Sequence, residues 1–450
     1  MRQWEGRANR MPPDTYAACA AACIAVVLIY LPVLPAVKLA AVFVAANVFS
    51  RTAMFQNWVR RAYQAIDTTV AAARNERLVR NIVPGAISEA NNVNSRFMQL
   101  RDSGRLEVLT AIRLLEAYAA NCKRTSARRH RLFKMMSWRQ QKLCTEVGYL
   151  DKLAEMDRRV GDNQKFLSAV AKHAIDHYGI KYQDFDLLRS HEDEAKNSSS
   201  NYRVIEALTH FSRDWDADAQ EIQPLLNYIK LHLSQIIPEN ELHDTCIIVP
   251  GSGLGRIAHE LASSGPYAAV HAVEFSGLMH ICNQFIYSQD GAYITYPYVH
   301  NCSNFTSMAN QFRTSKISTC EKPENLHLHQ EDFRYFKPDS HKNMVVVTAF
   351  FMDTAENLID YMDTINELTH GKNGAKNGYW INVGPLKYGT AARVELNAEE
   401  FAHLRKKMGW QDIDNSISLD KNQLVGYTTD KESLWQGYYG LAMWASKRRR

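Results

Sequence analysis

Ile-Ile-Val-Pro-Gly-Ser-Gly-Leu-Gly, residues 247–255, is the segment from which the fold can be predicted. Its apolar, β-branched beginning predicts a buried strand of a parallel sheet, and the glycines behind it allow a tight turn close to a ligand. Residues 256–263 have helical character, and a second apolar run, 270–273, ends in Glu274. Such an acid typically accepts hydrogen bonds from a ribose, so this order of elements predicts a nucleotide-type site. A plain glycine turn between core elements is the alternative.

The spacing of the glycines separates two classes of ligand. Dinucleotide-binding turns usually carry G-x-G-x-x-G, in which the third glycine packs the helix against the strand. Here the pattern is G-x-G-x-G over Gly251, Gly253 and Gly255, and the run contains no lysine to bind phosphates. S-adenosylmethionine has no phosphate and does not need an anion-binding helix end. The pattern therefore favours S-adenosylmethionine over a dinucleotide.

Further apolar runs alternate with helical patterns downstream, and several of them end in polar residues. The runs cover residues 326–329, 344–351 and 378–383, and the last candidate strands are 413–419 and 438–446. Alternation of strands and helices predicts an α/β, doubly wound parallel sheet, here with a terminal antiparallel pair. Glu274, Asp332, Asp353 and Asn382 fall at strand ends. Because ligands bind at the carboxyl ends of parallel strands, these four side chains mark the predicted site.

Composition sets limits on partners and metals. The chain has 450 residues and a net charge of +5, which is too mild to indicate nucleic-acid binding. Its eight cysteines contain no C-x-x-C pair, so no metal site is predicted and the thiols are expected to be free. A homodimer is left open.

The N-terminal part is strongly apolar. Residues 15–49 are interrupted by one charge, Lys38, and are divided by Pro32 and Pro35. A spanning helix needs about twenty apolar residues, so we predict either a single crossing with a proline kink or a hairpin. Basic residues on both flanks favour the hairpin, or a weakly determined orientation, with the main body of the chain in the cytosol. We therefore expect a membrane-associated protein anchored by this segment, and a buried apolar hairpin is the alternative.

Three regions follow from these patterns. Residues 1–50 form the predicted hydrophobic membrane segment, residues 51–200 a helical region, and residues 201–450 the domain with the glycine turn. Helical periodicity extends over residues 52–182, and residues 191–201 are typical of an exposed linker.

Several motifs of the last region resemble those of the carnosine N-methyltransferase family and occur in the same order. They are Arg213-Asp-Trp215, Val249-Pro-Gly-Ser-Gly-Leu-Gly-Arg256, Glu274-Phe-Ser276, Asp332-Phe333, Phe350-Phe-Met-Asp-Thr-Ala-Glu-Asn357, Ile359-Asp-Tyr361 and Trp380-Ile-Asn-Val-Gly-Pro-Leu386. The resemblance extends from about Asn201 to the end and more thinly back to about Ser126. It implies a class I methyltransferase fold. It also implies an enzyme that transfers a methyl group from S-adenosylmethionine to an imidazole nitrogen of a histidine-containing dipeptide.

The resemblance also implies roles for individual residues. Contacts with the methyl donor fall on His210, Arg213, Gly251, Gly253 and Ala349, contact with its ribose on Glu274, and contact with its adenine on Asp332 and Phe333. Asp353 would contact the methyl acceptor, and Tyr427 with Tyr438 or Tyr439 match aromatic positions of the acceptor pocket.

The chain departs from the family pattern at three positions. His210 replaces a glutamine, Ala349 replaces a cysteine, and Gly389 replaces a histidine that the family uses on its dipeptide. Sites built around a polar partner discriminate strongly between substrates. We therefore expect an acceptor other than carnosine, either a different small peptide or a related amine.

Asp353 is the predicted catalytic residue. An ammonium acceptor must lose a proton before it can attack the methyl group, and this carboxylate could take the proton or orient the amine. The alternative for Asp353 is a helix N-cap. For the whole chain we predict a membrane-attached N-methyltransferase, and the alternative is a membrane-tethered scaffold that binds S-adenosylmethionine without catalysis.

Overall fold

A computed structural model describes residues 35–50, 96–189, 200–217, 219–370, 375–420 and 424–449. The chain divides into two compact units, residues 1–90 and residues 91–450. In the first unit the described residues form one helix, α1 (Pro35–Ser50). All other elements described below belong to the second unit.

Helix α1 covers the second half of the apolar run in which a membrane segment is predicted. It has 16 residues, fewer than the about twenty that cross a bilayer core. None of the described helices has both the length and the hydropathy of a membrane span. The predicted membrane segment, and membrane association through it, are therefore wrong for the described chain. Residues 1–34, with the first half of the run, lie outside the described residues.

A layer of helices precedes the sheet. It contains α2 (Arg96–Gln99), α3 (Asp102–Lys134), α4 (Trp138–Glu146), α5 (Tyr149–Tyr178), α6 (Asp186–Arg189) and α7 (Ser200–Trp215), with a 3-10 turn at Tyr182–Phe185. Leu109, Ile112 and Leu115 of α3 are completely buried because residues three or four apart share one face of a helix. This face packs against α5. The helical pattern predicted for residues 52–182 is thus confirmed in its described part.

Eleven strands are described in the second unit. They are β1 (Thr245–Pro250), β2 (Ala269–Glu274), β3 (Ala292–Thr295), β4 (Ser315–Ser318), β5 (Leu326–Gln330), β6 (Asn343–Ala349), β7 (Asn377–Gly384), β8 (Trp410–Ser418), β9 (Val425–Gly426), β10 (Tyr438–Tyr439) and β11 (Leu441–Arg448). Seven of them form one sheet in the order β5-β2-β1-β6-β7-β11-β8, while β3 pairs with β4 and β9 with β10. In the large sheet the first five strands are parallel, and β11 runs antiparallel to both neighbours. The predicted α/β sheet of a class I methyltransferase is confirmed, including its antiparallel end.

Helices cover both faces of this sheet. They are α8 (Gln223–Ile236), α9 (Arg256–Ser264) and α10 (Gly277–Ile286), followed by α12 (Leu358–Leu368) and α13 (Ala398–Lys407). A short helix, α11 (Met308–Gln311), precedes β4, and 3-10 turns lie at Glu239–Asp244, Phe333–Tyr335 and Met352–Thr354. Successive residues of a strand point to opposite faces. Ile247 and Val249 therefore join the core under α8 and α9, whereas Ile248 joins the core under α12 and α13. With both faces covered, the carboxyl edge of the strands is where a ligand can enter.

Candidate functional site

The turn after β1 is made of glycines in the left-handed region. Gly251, Gly253 and Gly255 have φ angles of 59°, 56° and 75°, which residues with a Cβ adopt only at a cost. A Cβ on Gly251 would lie 2.3 Å from the ring of Phe351. The backbone conformation therefore favours glycine at all three positions, and at Gly251 the close approach of the Phe351 ring requires it as well.

Glu274, at the end of β2, binds the glycine turn directly. Its Oε2 accepts a hydrogen bond from the Gly253 N–H at 2.8 Å, and its Oε1 accepts one from the Ser276 N–H at 2.8 Å. Burial raises the pKa of this carboxyl group, and the two backbone donors act in the opposite direction. The side chain faces the turn, as the predicted ribose contact requires, and its oxygens keep further lone pairs for hydroxyl groups.

The end of α7 is fastened to the same turn. Trp215 Nε1 donates a hydrogen bond to the Leu254 carbonyl at 2.9 Å, and Arg256 donates to the Asp214 carbonyl at 2.8 Å. The Arg256 guanidinium also lies 5.2 Å from the centroid of the Trp215 ring. These contacts place the last turn of α7 at the carboxyl edge of β1.

Arg213 projects from this last turn and forms a buried ion pair with its neighbour. Its Nε and Nη2 donate to the two carboxylate oxygens of Asp214 at 2.6 and 2.9 Å, and Asp214 is 1% exposed. The guanidinium carbon also lies 4.9 Å from the centroid of the Tyr427 ring. Asp214 keeps the pKa of Arg213 well above its ordinary value despite the burial. The pair holds a fixed cation beside the glycine turn.

An open pocket of about 650 Å³ lies between α7, the glycine turn and the end of β6. It is lined by His210, Arg213, Asp214, Glu221, Ile222, Leu225, Val249, Pro250, Gly251, Ser252, Gly253, Arg256, Ile257, Ala349, Phe350, Gly426 and Tyr427. His210 is almost completely buried in this wall. Its Nε2 lies 3.4 Å from the Tyr427 hydroxyl, while its Nδ1 has no hydrogen-bond partner. Burial and the adjacent Arg213 lower the pKa of His210, so a neutral imidazole with a free ring nitrogen borders the pocket.

Asp332 and Phe333 lie beside this pocket and do not line it. Both carboxylate oxygens of Asp332 accept hydrogen bonds from Arg334. Phe333 is buried and packs edge-on against Phe351, with the ring centroids 5.2 Å apart. Since Phe351 also covers Gly251, its ring lies between the glycine turn and the two residues predicted to hold the adenine.

Asp353 follows β6 in a 3-10 turn. Its Oδ2 accepts a hydrogen bond from the Lys387 backbone N–H at 3.1 Å, and burial raises the pKa of its carboxyl group. The side chain that caps α12 is Asn357, whose Oδ1 accepts from the Ile359 N–H at 3.2 Å. The alternative prediction, that Asp353 is the N-cap of this helix, is therefore wrong.

The two tyrosines of β10 differ in position. Tyr438 is 40% exposed and donates its hydroxyl hydrogen to Gln436. Tyr439 lies against Phe350, with the ring centroids 6.1 Å apart, and its hydroxyl accepts from Lys387 Nζ at 3.3 Å. Of the two candidates, Tyr439 is the one that packs against Phe350 of the pocket wall and contacts Lys387, whose backbone N–H binds Asp353.

Three residues of the site were missed by sequence reasoning. Asp214 is the buried partner of Arg213, Lys387 holds Asp353, and Phe350 is a non-glycine residue with a φ of 50°. Such a φ is costly and occurs mostly where the surrounding structure imposes it. The charge of Asp214 next to Arg213 was the available signal, whereas nothing in the sequence indicates the conformation of Phe350.

Comparisons with known proteins identify the family to which the chain is similar. Residues 190–450 match a family model described as carnosine N-methyltransferase. The chain is 34% identical over 291 residues to the uncharacterised protein YMR209C of Saccharomyces cerevisiae. The aligned region covers 62% of this chain and 63% of that protein. It is 28% identical over 375 residues to the carnosine N-methyltransferase of Schizosaccharomyces pombe. Here the aligned region covers 76% of this chain and 94% of that protein.

A solved structure gives a more distant likeness. Magnesium protoporphyrin IX methyltransferase from Synechocystis, with bound SAH, is 9% identical, covers 56% of this chain and 96% of its own, and has a TM-score of 0.34. At this score the likeness adds no argument to the fold assigned from the order of the strands.

Proposed function

The chain belongs to the carnosine N-methyltransferase family, and from this premise we propose that it methylates a nitrogen atom of a small peptide or related amine. Family membership confirms the predicted class of enzyme, an S-adenosylmethionine-dependent N-methyltransferase, and with it the predicted methyl donor. The alternative of a membrane-tethered scaffold has no support in these comparisons, and among the described residues no helix could serve as its tether.

One observation carries the assignment of the donor site: the carboxylate of Glu274 is hydrogen-bonded to the glycine turn at Gly253. A ribose beside this turn would find an acid already oriented toward it. Arg213 and the free Nδ1 of His210 offer a cation and a polar ring atom to the amino acid part of the donor. We call this group, with the glycine turn, the donor end of the site.

The adenine would lie toward Asp332 and Phe333. The Phe351 ring, which packs against both Gly251 and Phe333, would have to turn aside or serve as a stacking surface. Both carboxylate oxygens of Asp332 are hydrogen-bonded to Arg334, which fixes the orientation of the carboxylate. Its free lone pairs suit an exocyclic amino group.

Bound S-adenosylmethionine supplies an electrophilic methyl group on a sulfonium sulfur. The protein has to hold the acceptor nitrogen in line with that methyl group, and positioning of this kind supplies a large part of the acceleration. Asp353 is the proposed catalytic residue. Burial raises the pKa of its carboxyl group, which makes the carboxylate a stronger base toward an ammonium acceptor, and the Lys387 backbone N–H fixes its orientation. We call Asp353, Lys387 and Tyr439, with Gly389, the acceptor end.

The identity of the acceptor is the finer part of the proposal. Relatives named carnosine N-methyltransferase act by name on carnosine. In this chain Gly389 is exposed, and a Cβ built on it would meet nothing within 4 Å. No side chain from this position can therefore hold an imidazole. We propose that the acceptor is a small peptide or amine other than carnosine.

A labelled-methyl assay tests the function. The whole chain is incubated with S-adenosylmethionine carrying a labelled methyl group, and with carnosine or a panel of short peptides and amines. Transfer to a member of the panel other than carnosine is expected. Brisk turnover of carnosine would contradict the proposed acceptor, and no transfer to any member would contradict the function.

Calorimetric titration with S-adenosylmethionine tests the donor site separately. Glu274→Ala leaves the buried ribose hydroxyls of the donor without their acceptor and should weaken binding by about 1–3 kcal/mol. Glu367→Ala is the matched control, because Glu367 forms an exposed pair with Lys337. Equal affinities for Glu274→Ala and the control would remove Glu274 from the site.

A further inference from the structure

Lys387 lies at the acceptor end because of how β7 terminates. The strand ends at Gly384, and the chain continues through Pro385 and Leu386 to Lys387. The backbone N–H of Lys387 donates to Asp353 Oδ2 at 3.1 Å. The α-carbon of the lysine is therefore next to the proposed catalytic carboxylate.

The ammonium group of this lysine is directed back to the pocket wall. Its Nζ donates to the Tyr439 hydroxyl at 3.3 Å and lies 5.6 Å from the centroid of the same ring. Tyr439 in turn packs against Phe350, which lines the pocket. The aromatic ring attracts the cation and keeps it at the mouth of the site.

Within the part of the chain that the structure describes, this cation forms no ion pair with a carboxylate. Among the described residues no carboxylate oxygen lies within 4.0 Å of Lys387 Nζ. The Tyr439 hydroxyl is a neutral acceptor, so it leaves two ammonium hydrogens for a further partner. The charge of Lys387 also acts on Asp353 from beyond ion-pair distance and lowers the pKa of that carboxyl group, which burial raises. Asp353 meets the backbone of Lys387, and its carboxylate is thus left for the acceptor nitrogen.

The position two residues further along adds nothing to this arrangement. Gly389 has no side chain, and the space around it is open. A polar contact that the acceptor makes on this loop must therefore come from another residue. Lys387 is the cation that the loop presents beside both Asp353 and Tyr439.

We propose that Lys387 binds a carboxylate of the methyl acceptor and so selects acceptors that carry an amine or imidazole nitrogen together with an anionic group. The inference rests on the proposed function, because it concerns the acceptor of that same reaction. Lys387 is a specificity-determining residue in this reaction. The acceptor nitrogen is held near Asp353, and the anionic group near the Lys387 ammonium.

Matched pairs of acceptors test this inference. Each peptide of the panel is offered with its free C-terminal carboxylate and as the C-terminal amide, and kcat/KM is measured for both. The wild-type chain should prefer the acids by about tenfold, the worth of one charge-assisted hydrogen bond. Lys387→Met keeps the aliphatic length and removes the charge, so the ratio of acid to amide should fall to near one with unchanged affinity for S-adenosylmethionine.

Lys447→Met is the matched control. Lys447 also lies over a tyrosine ring, 5.5 Å from the centroid of Tyr379, but in β11 opposite the beginning of β7. This variant should keep the wild-type ratio. A wild-type ratio near one, or an unchanged ratio in Lys387→Met, overturns the inference while the proposed function stands. Failure of every member of the panel, peptide or amine, to accept a methyl group overturns the proposed function and the inference with it.

Discussion

The donor end and the acceptor end of the site differ in the groups that form their contacts. At the donor end, backbone groups make the decisive contacts, such as the Gly253 N–H on Glu274 and the Leu254 carbonyl on Trp215. At the acceptor end, the side chains of Asp353, Lys387 and Tyr439 come from a 3-10 turn, a loop and a short strand, and Gly389 has open space around it. The donor end should therefore tolerate few substitutions, whereas the acceptor end should accept new side chains and change its selectivity.

The largest effect is expected where the donor end holds a buried charge. Asp214→Asn leaves Arg213 without its carboxylate, and breaking such a pair costs about 3–5 kcal/mol. The free energy of unfolding, measured in urea, should fall by that amount. Glu367→Gln removes an exposed partner of Lys337 and should cost at most about 1 kcal/mol. Equal losses in the two variants would mean that the donor end is not rigidly built.

A large catalytic effect is expected at the acceptor end. Asp353→Asn should lower kcat about a hundredfold, the scale of a lost general base, with little change in the affinity for S-adenosylmethionine. Asp360→Asn, in α12, is the control and should leave kcat near the wild-type value.

The pH profile adds a second test of Asp353. Because burial raises its pKa, the wild-type rate with an ammonium acceptor should fall as the pH drops through that raised pKa and the carboxylate takes up a proton. Asp353→Asn should lack this acidic limb. An acidic limb that persists in the variant would assign it to another group.

A smaller effect distinguishes two glycines of the turn. Both Gly251→Ala and Gly253→Ala place a Cβ at a left-handed φ, which costs about 1–2 kcal/mol. Only at Gly251 would that Cβ also meet Phe351, while the space at Gly253 is open. Calorimetric titration should show a further loss of donor affinity of about tenfold for Gly251→Ala relative to Gly253→Ala. Equal affinities would show that Phe351 moves away freely.

The smallest effect on stability, with a change in selectivity, is expected at Gly389. Gly389→His adds a ring in open space, so the free energy of unfolding should change by no more than about 0.5 kcal/mol. The added imidazole should raise kcat/KM for carnosine relative to the other peptides of the panel. If the variant ranks the acceptors by kcat/KM as the wild type does, position 389 does not determine substrate selectivity.

This difference between the ends also explains what the sequence could predict. The strand before the glycine turn, the acid after β2 and the alternation of elements follow from periodicity and glycine spacing, which depend on local backbone geometry. The orientation of Glu274 toward the turn agrees with that reading. These features needed no knowledge of distant contacts.

Other features depend on contacts between distant parts of the chain. Tyr438 and Tyr439 are adjacent, and a change of one residue in strand register exchanges the two faces, so the sequence could not select Tyr439. The positive φ of Phe350 is imposed where its N–H bonds to the Val383 carbonyl. The apolar composition of residues 15–49 indicated a membrane segment, yet the described part of that run is a helix too short to cross.

The position of β11 affects how the sheet can form while the chain is being synthesised. β8 is synthesised before β11, but in the sheet it pairs with β11 and not with β7. During synthesis on the ribosome, the edges of β7 and β8 that pair with β11 therefore stay unpaired until β11 has emerged. Such edges readily join other chains, and chains released early are expected to aggregate.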